Sequence, residues 1–235
     1  MKFKRSLSTR AIIFACFALV IFLSSCAQPE DEGFQEIESQ LEELAQKRSD
    51  YQEELSQMNT AQLFEILQQE SIEGKEPYNS MAYSELVSRG EQAAPELQSL
   101  LRNDDQSSLL GLLALREMDQ TLYRQLDSAF RINVLVDALQ NSKYFNTWGL
   151  PHLYWEEAAQ SIIDEGEAAQ EPLMLLLDDT RPAPMWGEEE VVESNAYAYR
   201  VRDYAWALIL AIRGNDLAIP TDPAQRDELI KEMQS

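Results

Sequence analysis

One pattern of small and branched residues occurs twice in this chain, and it dictates helices meeting at a tight turn. In the first copy Ala82, Leu86, Val87, Gly90, Glu91, Ala93, Leu97, Leu100 and Leu101 follow in order. In the second, Ala158, Ile162, Ile163, Gly166, Glu167, Ala169, Leu173, Leu176 and Leu177 fall at the same offsets without a gap. Glycine reaches the left-handed conformation that ends a helix. Pro95 and Pro172 fall near the first turn of the next helix, where a missing N–H costs little, and the leucines form its buried stripe. The two glycines are 76 residues apart, and two periods of about 40 residues mark stacked helical pairs. A middle pair fits between them: Leu109, Leu110, Leu112, Leu113 and Leu115, then Phe130, Ile132, Val134, Leu135 and Leu139. Gly214 ends a further helix, and Pro220 to Pro223 opens a last one. Strand signals are absent.

Upstream, Phe34, Ile37, Leu41, Leu44, Tyr51, Leu55 and Met58 recur at steps of three and four, interrupted by Arg48. This predicts an amphipathic helix of about 25 residues with a heptad-like stripe. A long helix packed on its own domain is the preferred reading, and a self-associating coiled coil the alternative. Asn59-Thr60 reads as a break and an N-cap before a short helix carrying Leu63, Ile66 and Leu67.

The N-terminus is built like an export signal. Lys2, Lys4, Arg5 and Arg10 precede Ala11 to Leu23, an uncharged apolar run of 13 residues. That is short of the roughly 20 needed to span a bilayer. Leu23-Ser24-Ser25-Cys26 follows and resembles the lipobox of bacterial lipoproteins. The resemblance implies a signal peptide over 1–25, cleavage before Cys26, and two or three acyl chains, palmitate among them, on that cysteine. It implies a membrane as partner through those chains. Ala27 stands where Gram-negative relatives retained at the inner membrane commonly carry Asp, which points to the outer membrane if the source has one. Residues 26–33, Pro/Gly-punctuated and polar, read as a tether.

Composition narrows the partners. The chain holds 19 Lys and Arg against 41 Asp and Glu, a net charge of −22. The four basic residues of the signal make the remainder more acidic still. Nucleic acid, whose binding depends on neutralising phosphates, is excluded as a partner, and so is a basic surface on anionic lipid. Cys16 lies in the signal and Cys26 is the acylation site, so no thiol remains for a disulfide and stability falls to a packed core.

The doubled motif, A-x3-[LI]-[VI]-x2-G-E-x-A-x3-L-x2-L-L, resembles the HEAT-repeat superfamily, in particular the short bacterial repeats of phycobilisome-lyase-like proteins. Tyr199 to Leu208 is similar to that family's opening helix. The resemblance covers residues 80–234 and implies an all-α, HEAT-like α-solenoid of three to four helical pairs, with residues 34–79 as an N-terminal helical cap. It also implies that Asp178 or Asp179 bonds the next turn and pairs with Arg200 or Arg202. The middle pair lacks the Gly-Glu turn.

Catalytic motifs are missing. No Walker loop, dinucleotide fingerprint or G-x-S-x-G is present, so no cofactor and no enzymatic activity is expected. His152 is the single histidine, read as a loop or capping residue, and a tetrahedral Cys/His zinc site is excluded. Asp104-Asp105, Asp178-Asp179 and Glu188-Glu189-Glu190 lack the spacing of a calcium loop and read as solvated acids. One region stands out. Trp148, Trp155, Trp186 and Trp206 lie close in sequence, and Thr180 to Ser194 forms a 15-residue insertion. Long loops inside compact domains are often functional, and aromatics beside charge suit an interface. Trp148, Trp155, Trp186, Glu188, Glu189 and Glu190 are the candidate partner surface, with Trp186 expected to pack near Trp148 and Trp155. The chain is thus read as a lipid-anchored envelope protein that binds a protein or peptide. A carboxylate-based enzyme or accessory subunit, and a coiled-coil tether, are the alternatives.

Overall fold

A computed structural model describes residues 32–103, 108–215 and 218–234. The signal peptide, Cys26 and most of the tether lie outside the described residues, as do Asp104 and Asp105. The chain divides into two units, one ending at Asp50 and one beginning at Tyr51. The described residues are largely helical, with one two-residue strand pair. None of the described helices is long and apolar enough to cross a membrane.

Helix α1 runs over Glu32–Gln57. In the first unit its stripe is open: Ile37, Leu41 and Leu44 are 57, 60 and 61% exposed. In the second unit the same stripe closes at Leu55, which is fully buried. Helix α2 (Thr60–Ile72) starts at a capping box, in which the Asn59 side chain takes the Gln62 N–H and Gln62 returns the bond. Two backbone donors that the helix would otherwise orphan are satisfied there.

The second unit continues with α3 (Met81–Ser88), α4 (Ala94–Asn103), α5 (Leu109–Met118), α6 (Gln120–Arg124) and α7 (Ser128–Asn141). Strands β1 (Gly149–Leu150) and β2 (Tyr154–Trp155) pair antiparallel, a hairpin with no signal in the sequence pattern. Then come α8 (Glu157–Asp164), α9 (Gln170–Met174), α10 (Glu188–Tyr197), α11 (Val201–Ile212) and α12 (Pro223–Gln234). Helix α3 packs on α5, α5 on α8, and α8 on α11.

The two Gly-Glu turns have one geometry. Gly90 and Gly166 sit at φ +57° and +65°, each after a residue at φ −74° and each opening a 3-10 turn. A Cβ at either position would meet no atom within 4 Å, so the glycine is required by backbone strain alone. Gly111 is small for another reason: a Cβ there would lie 2.6 Å from the Phe64 ring, so it sets how closely α5 approaches α2. The motif leucines Leu97, Leu101, Leu173 and Leu177 are buried. Helix α9 ends before Leu176 and Leu177, which sit in the turns that follow it.

The acids after that segment pair differently from the resemblance. Asp179 bonds Arg181 two residues on, at 2.5 Å, and takes only a backbone N–H from Arg202 to its carbonyl. Arg200 instead clamps Asp203 at 2.9 Å and Asp227 at 2.6 Å. The start of the insertion lies along this segment: Pro182 bridges Arg200, and the Ala183 N–H bonds the Tyr199 carbonyl.

Candidate functional site

A cavity of about 670 Å³ opens among α3, α5, the 3-10 turn before β1, and the start of α8. Its size falls within the roughly 300–1,000 Å³ usual for ligand sites. Tyr78, Tyr83 and Tyr154 supply aromatic wall, with Pro77 and Val87, while Glu117, Glu156, Glu157 and Glu190 bring carboxylates. No Lys, Arg or His is among its described lining residues. Arg116 stands in the adjoining cleft with Glu117 and Glu157, but its guanidinium is engaged by Asp164 at 2.6 Å.

Local structure explains the placement. Ser80 caps α3 by accepting the Tyr83 N–H, which turns the buried Tyr83 ring inward and brings its hydroxyl to the Glu117 carboxylate at 2.8 Å. The β1–β2 hairpin returns the chain so that Tyr154 and then Glu156 and Glu157 enter the wall. Glu156 and Glu157 keep contact with solvent, yet the cavity strips part of their hydration. Their pKa values rise, Glu156 through burial and then Glu190, Glu157 through burial and then Glu117, partly offset by Arg116.

Glu76 stands behind this wall and is only 2% exposed. The Trp186 indole N–H donates to its Oε1 at 3.1 Å, and its Oε2 has no hydrogen-bond partner in good geometry. Burial raises its pKa first. The Tyr78 hydroxyl and Trp186 offset part of that, and Glu156 and Glu190 add to it. Trp186 is held in turn by Asn146, which accepts its backbone N–H at 3.0 Å and donates to its carbonyl at 2.7 Å.

The candidate surface read from sequence is therefore split. Trp186 is 41% exposed and packs against Tyr78, ring centroids 6.2 Å apart. Trp148 is fully buried and donates to Ser142 Oγ at 2.9 Å. Trp148 is core and cannot meet a partner. Trp155 is half-buried against the same core. Glu190 reaches the cavity. Glu188 and Glu189 begin α10, and their side chains lie outside the described residues. Within the insertion Ala183 and Met185 are buried, so it covers the core with one face and presents Trp186 with the other. His152 is a packing residue: Nδ1 lies 2.8 Å from the Tyr199 hydroxyl, and the ring stacks on Tyr197 at 4.0 Å. Burial lowers its pKa, against Glu193.

Sequence reasoning missed Glu76, Tyr78, Tyr83, Glu117, Glu156 and Glu157. Their one visible signal was the Glu156-Glu157 pair opening a helix. No family model, curated protein or solved structure matches the chain.

Proposed function

We propose that this chain is a lipid-anchored cell-envelope module, held to the membrane through acyl groups on Cys26, that binds a protein or peptide partner. The supporting observation is the cavity beside Trp186: an aromatic wall, half-exposed anchors and carboxylates in one open concavity. Interfaces concentrate their binding energy in such aromatic anchors. A photo-crosslinking residue at Tyr78 in cells should give a discrete crosslinked species. One at Leu175, also exposed, should not. Equal labelling from both positions would contradict the reading. For the anchor, Cys26→Ser should accumulate unprocessed precursor without acyl label, and normal processing of that variant would refute lipidation.

The architecture we propose for residues 80–234 is a HEAT-like solenoid. Its support is the shared geometry of the two Gly-Glu turns and the succession of α3 on α5, α5 on α8, and α8 on α11. Matched losses of roughly 1–3 kcal/mol on Gly90→Val and Gly166→Val, from strain at positive φ, agree with equivalent turns. Loss at only one position would break the equivalence.

A second reading has its own observation. Ile37, Leu41 and Leu44 are exposed at heptad spacing, while Glu36, Glu42, Glu43 and Asp50 lie off that seam. This suits self-association of α1. Leu41→Asp should then convert a dimer to a monomer in analytical ultracentrifugation. A monomeric wild-type chain would remove this reading.

A further inference from the structure

Four carboxylates line one wall of the cavity, and a fifth, Glu76, is buried behind it without a cation. Elsewhere the fold answers buried acids with bases. Glu70 meets Lys75 at 2.5 Å, Glu165 meets Arg131 at 2.6 Å, and Asp203 meets Arg226 at 3.1 Å. The cavity is the exception. Glu76 has the Trp186 indole N–H and the Tyr78 hydroxyl beside it but no cation, its Oε2 has no partner in good hydrogen-bond geometry, and it is close enough to Glu156 and Glu190 for their charges to act on it. A buried carboxylate without compensation is costly, and like charges around it add to the cost. Positive charge brought into the cavity offsets the like-charge term.

The surroundings narrow what that charge is. Among the described residues no group of three or more His, Cys, Asp or Glu is placed to hold a metal ion. The acids are spread along a wall between tyrosine faces. Tyrosine faces attract Lys and Arg by cation–π contact, and spread carboxylates suit spaced guanidinium or ammonium groups better than one compact ion. The volume of about 670 Å³ is several times that of one side chain, so it accepts a chain segment.

We propose that this cavity binds a basic peptide segment, seating at least two Lys or Arg side chains of a partner against Glu117, Glu156, Glu157 and Glu190 between Tyr78, Tyr83 and Tyr154. The proposal rests on the partner-binding reading above and specifies its chemistry. Groups of both signs enter the balance: the four glutamates and Glu76 attract, the three tyrosines stay neutral, and Arg116 at the edge repels weakly because Asp164 holds it.

The test is fluorescence anisotropy on the full chain in detergent, with a short dye-labelled diarginine peptide, its neutral dicitrulline counterpart, and spermidine as the competing small polycation. Glu117→Gln/Glu157→Gln removes charge from the cavity. Glu42→Gln/Glu43→Gln removes the same charge from the exposed face of α1 and controls for general attraction to an acidic protein. The proposal expects binding of the diarginine peptide alone, at least tenfold weaker in the cavity variant and unchanged in the α1 variant. Equal weakening in both variants would reduce the effect to net charge and overturn it. Cavity-dependent binding of spermidine without the peptide would overturn the peptide as occupant. If Tyr78 crosslinking persists undiminished in the cavity variant, partner binding stands and this proposal falls.

Discussion

At the C-terminal end of the fold Asp203 is fully buried, and Arg200 and Arg226 close on it from two sides. At the cavity Glu76 is nearly as buried and meets no cation. In the first region the second arginine is charge-matched: Arg226 donates to the carbonyls of Pro220, Thr221 and Tyr197 at 2.7, 2.9 and 2.7 Å, its Nε lies 3.1 Å from Asp203 without good hydrogen-bond geometry, and its guanidinium lies 5.3 Å from the Tyr199 ring centroid. Asp203 meanwhile accepts the Arg200 N–H at 2.9 Å and caps α11. That cluster is charge-matched within the chain and pins α12 to α11. The cavity cluster is complete only if charge arrives from elsewhere. Fold stability explains the first set of acids; it gives no reason for the second, where neutral glutamines would repel less.

The sharpest break of this contrast is Arg226→Met. It removes one of the two arginines on buried Asp203 and strips the carbonyls of Pro220, Thr221 and Tyr197 of their donor, and should lower stability by about 3–5 kcal/mol in urea denaturation. A loss under about 1 kcal/mol would mean that Arg200 alone compensates Asp203, and the second arginine would carry no part of the contrast. The tryptophans sharpen it next. Trp148→Ala empties a packed site and should lower stability by about 3–5 kcal/mol. Trp186→Ala, at a 41% exposed position, should change melting little and weaken partner binding by about 2 kcal/mol. Sharp destabilisation from Trp186→Ala with intact crosslinking from Tyr78 would make the tryptophan core and the insertion mere cover.

The smallest expected effect is in pH dependence, and its two parts have opposite signs. Asp227 is held below its ordinary value of 3.8 by hydrogen bonds from Arg200, and Asp179 by those from Arg181. Their contribution is present above pH 3.8 and is lost as pH falls through the depressed folded values. Glu76, Glu156 and Glu157 are raised above 4.5, by burial first. Their charged forms oppose folding above the raised values, and that opposition fades as pH falls toward 4.5. His152, lowered by burial, costs stability as pH falls below 6.5, so the gain is read in a His152→Gln background: there stability should increase slightly on acidification from neutrality, by less than about 1 kcal/mol after solvent screening, and then decline below pH 3.8. A curve that falls monotonically from pH 7 downward would show that the cavity acids are unstrained.

Much of the helical framework was legible because it is written locally. The turn glycines need positive φ, the leucine stripe needs burial, and Asn59 with Gln62 spells a cap; each signal lies within about one helical turn of its effect. The cavity was not legible, because its parts come from Tyr78, Glu117, Glu157 and Glu190, far apart in sequence and without periodicity. A tryptophan cluster in sequence also looked like a surface, yet Trp148 went to the core and Trp186 to a half-exposed place against Tyr78. Hydrophobicity alone cannot separate those fates. The bond from Trp186 to Glu76 decides one of them, and it spans 110 residues.

The central claim is that the cavity carboxylates are left uncompensated while the buried acids elsewhere are matched. Carbon-detected NMR titration of the side-chain carboxyls in the full chain measures this residue by residue. The account predicts that Glu76, Glu156 and Glu157 titrate above 4.5, that Asp179 and Asp227 titrate below 3.8, and that the diarginine peptide draws the three glutamates downward. Glutamates at their ordinary values, unmoved by the peptide, would contradict it.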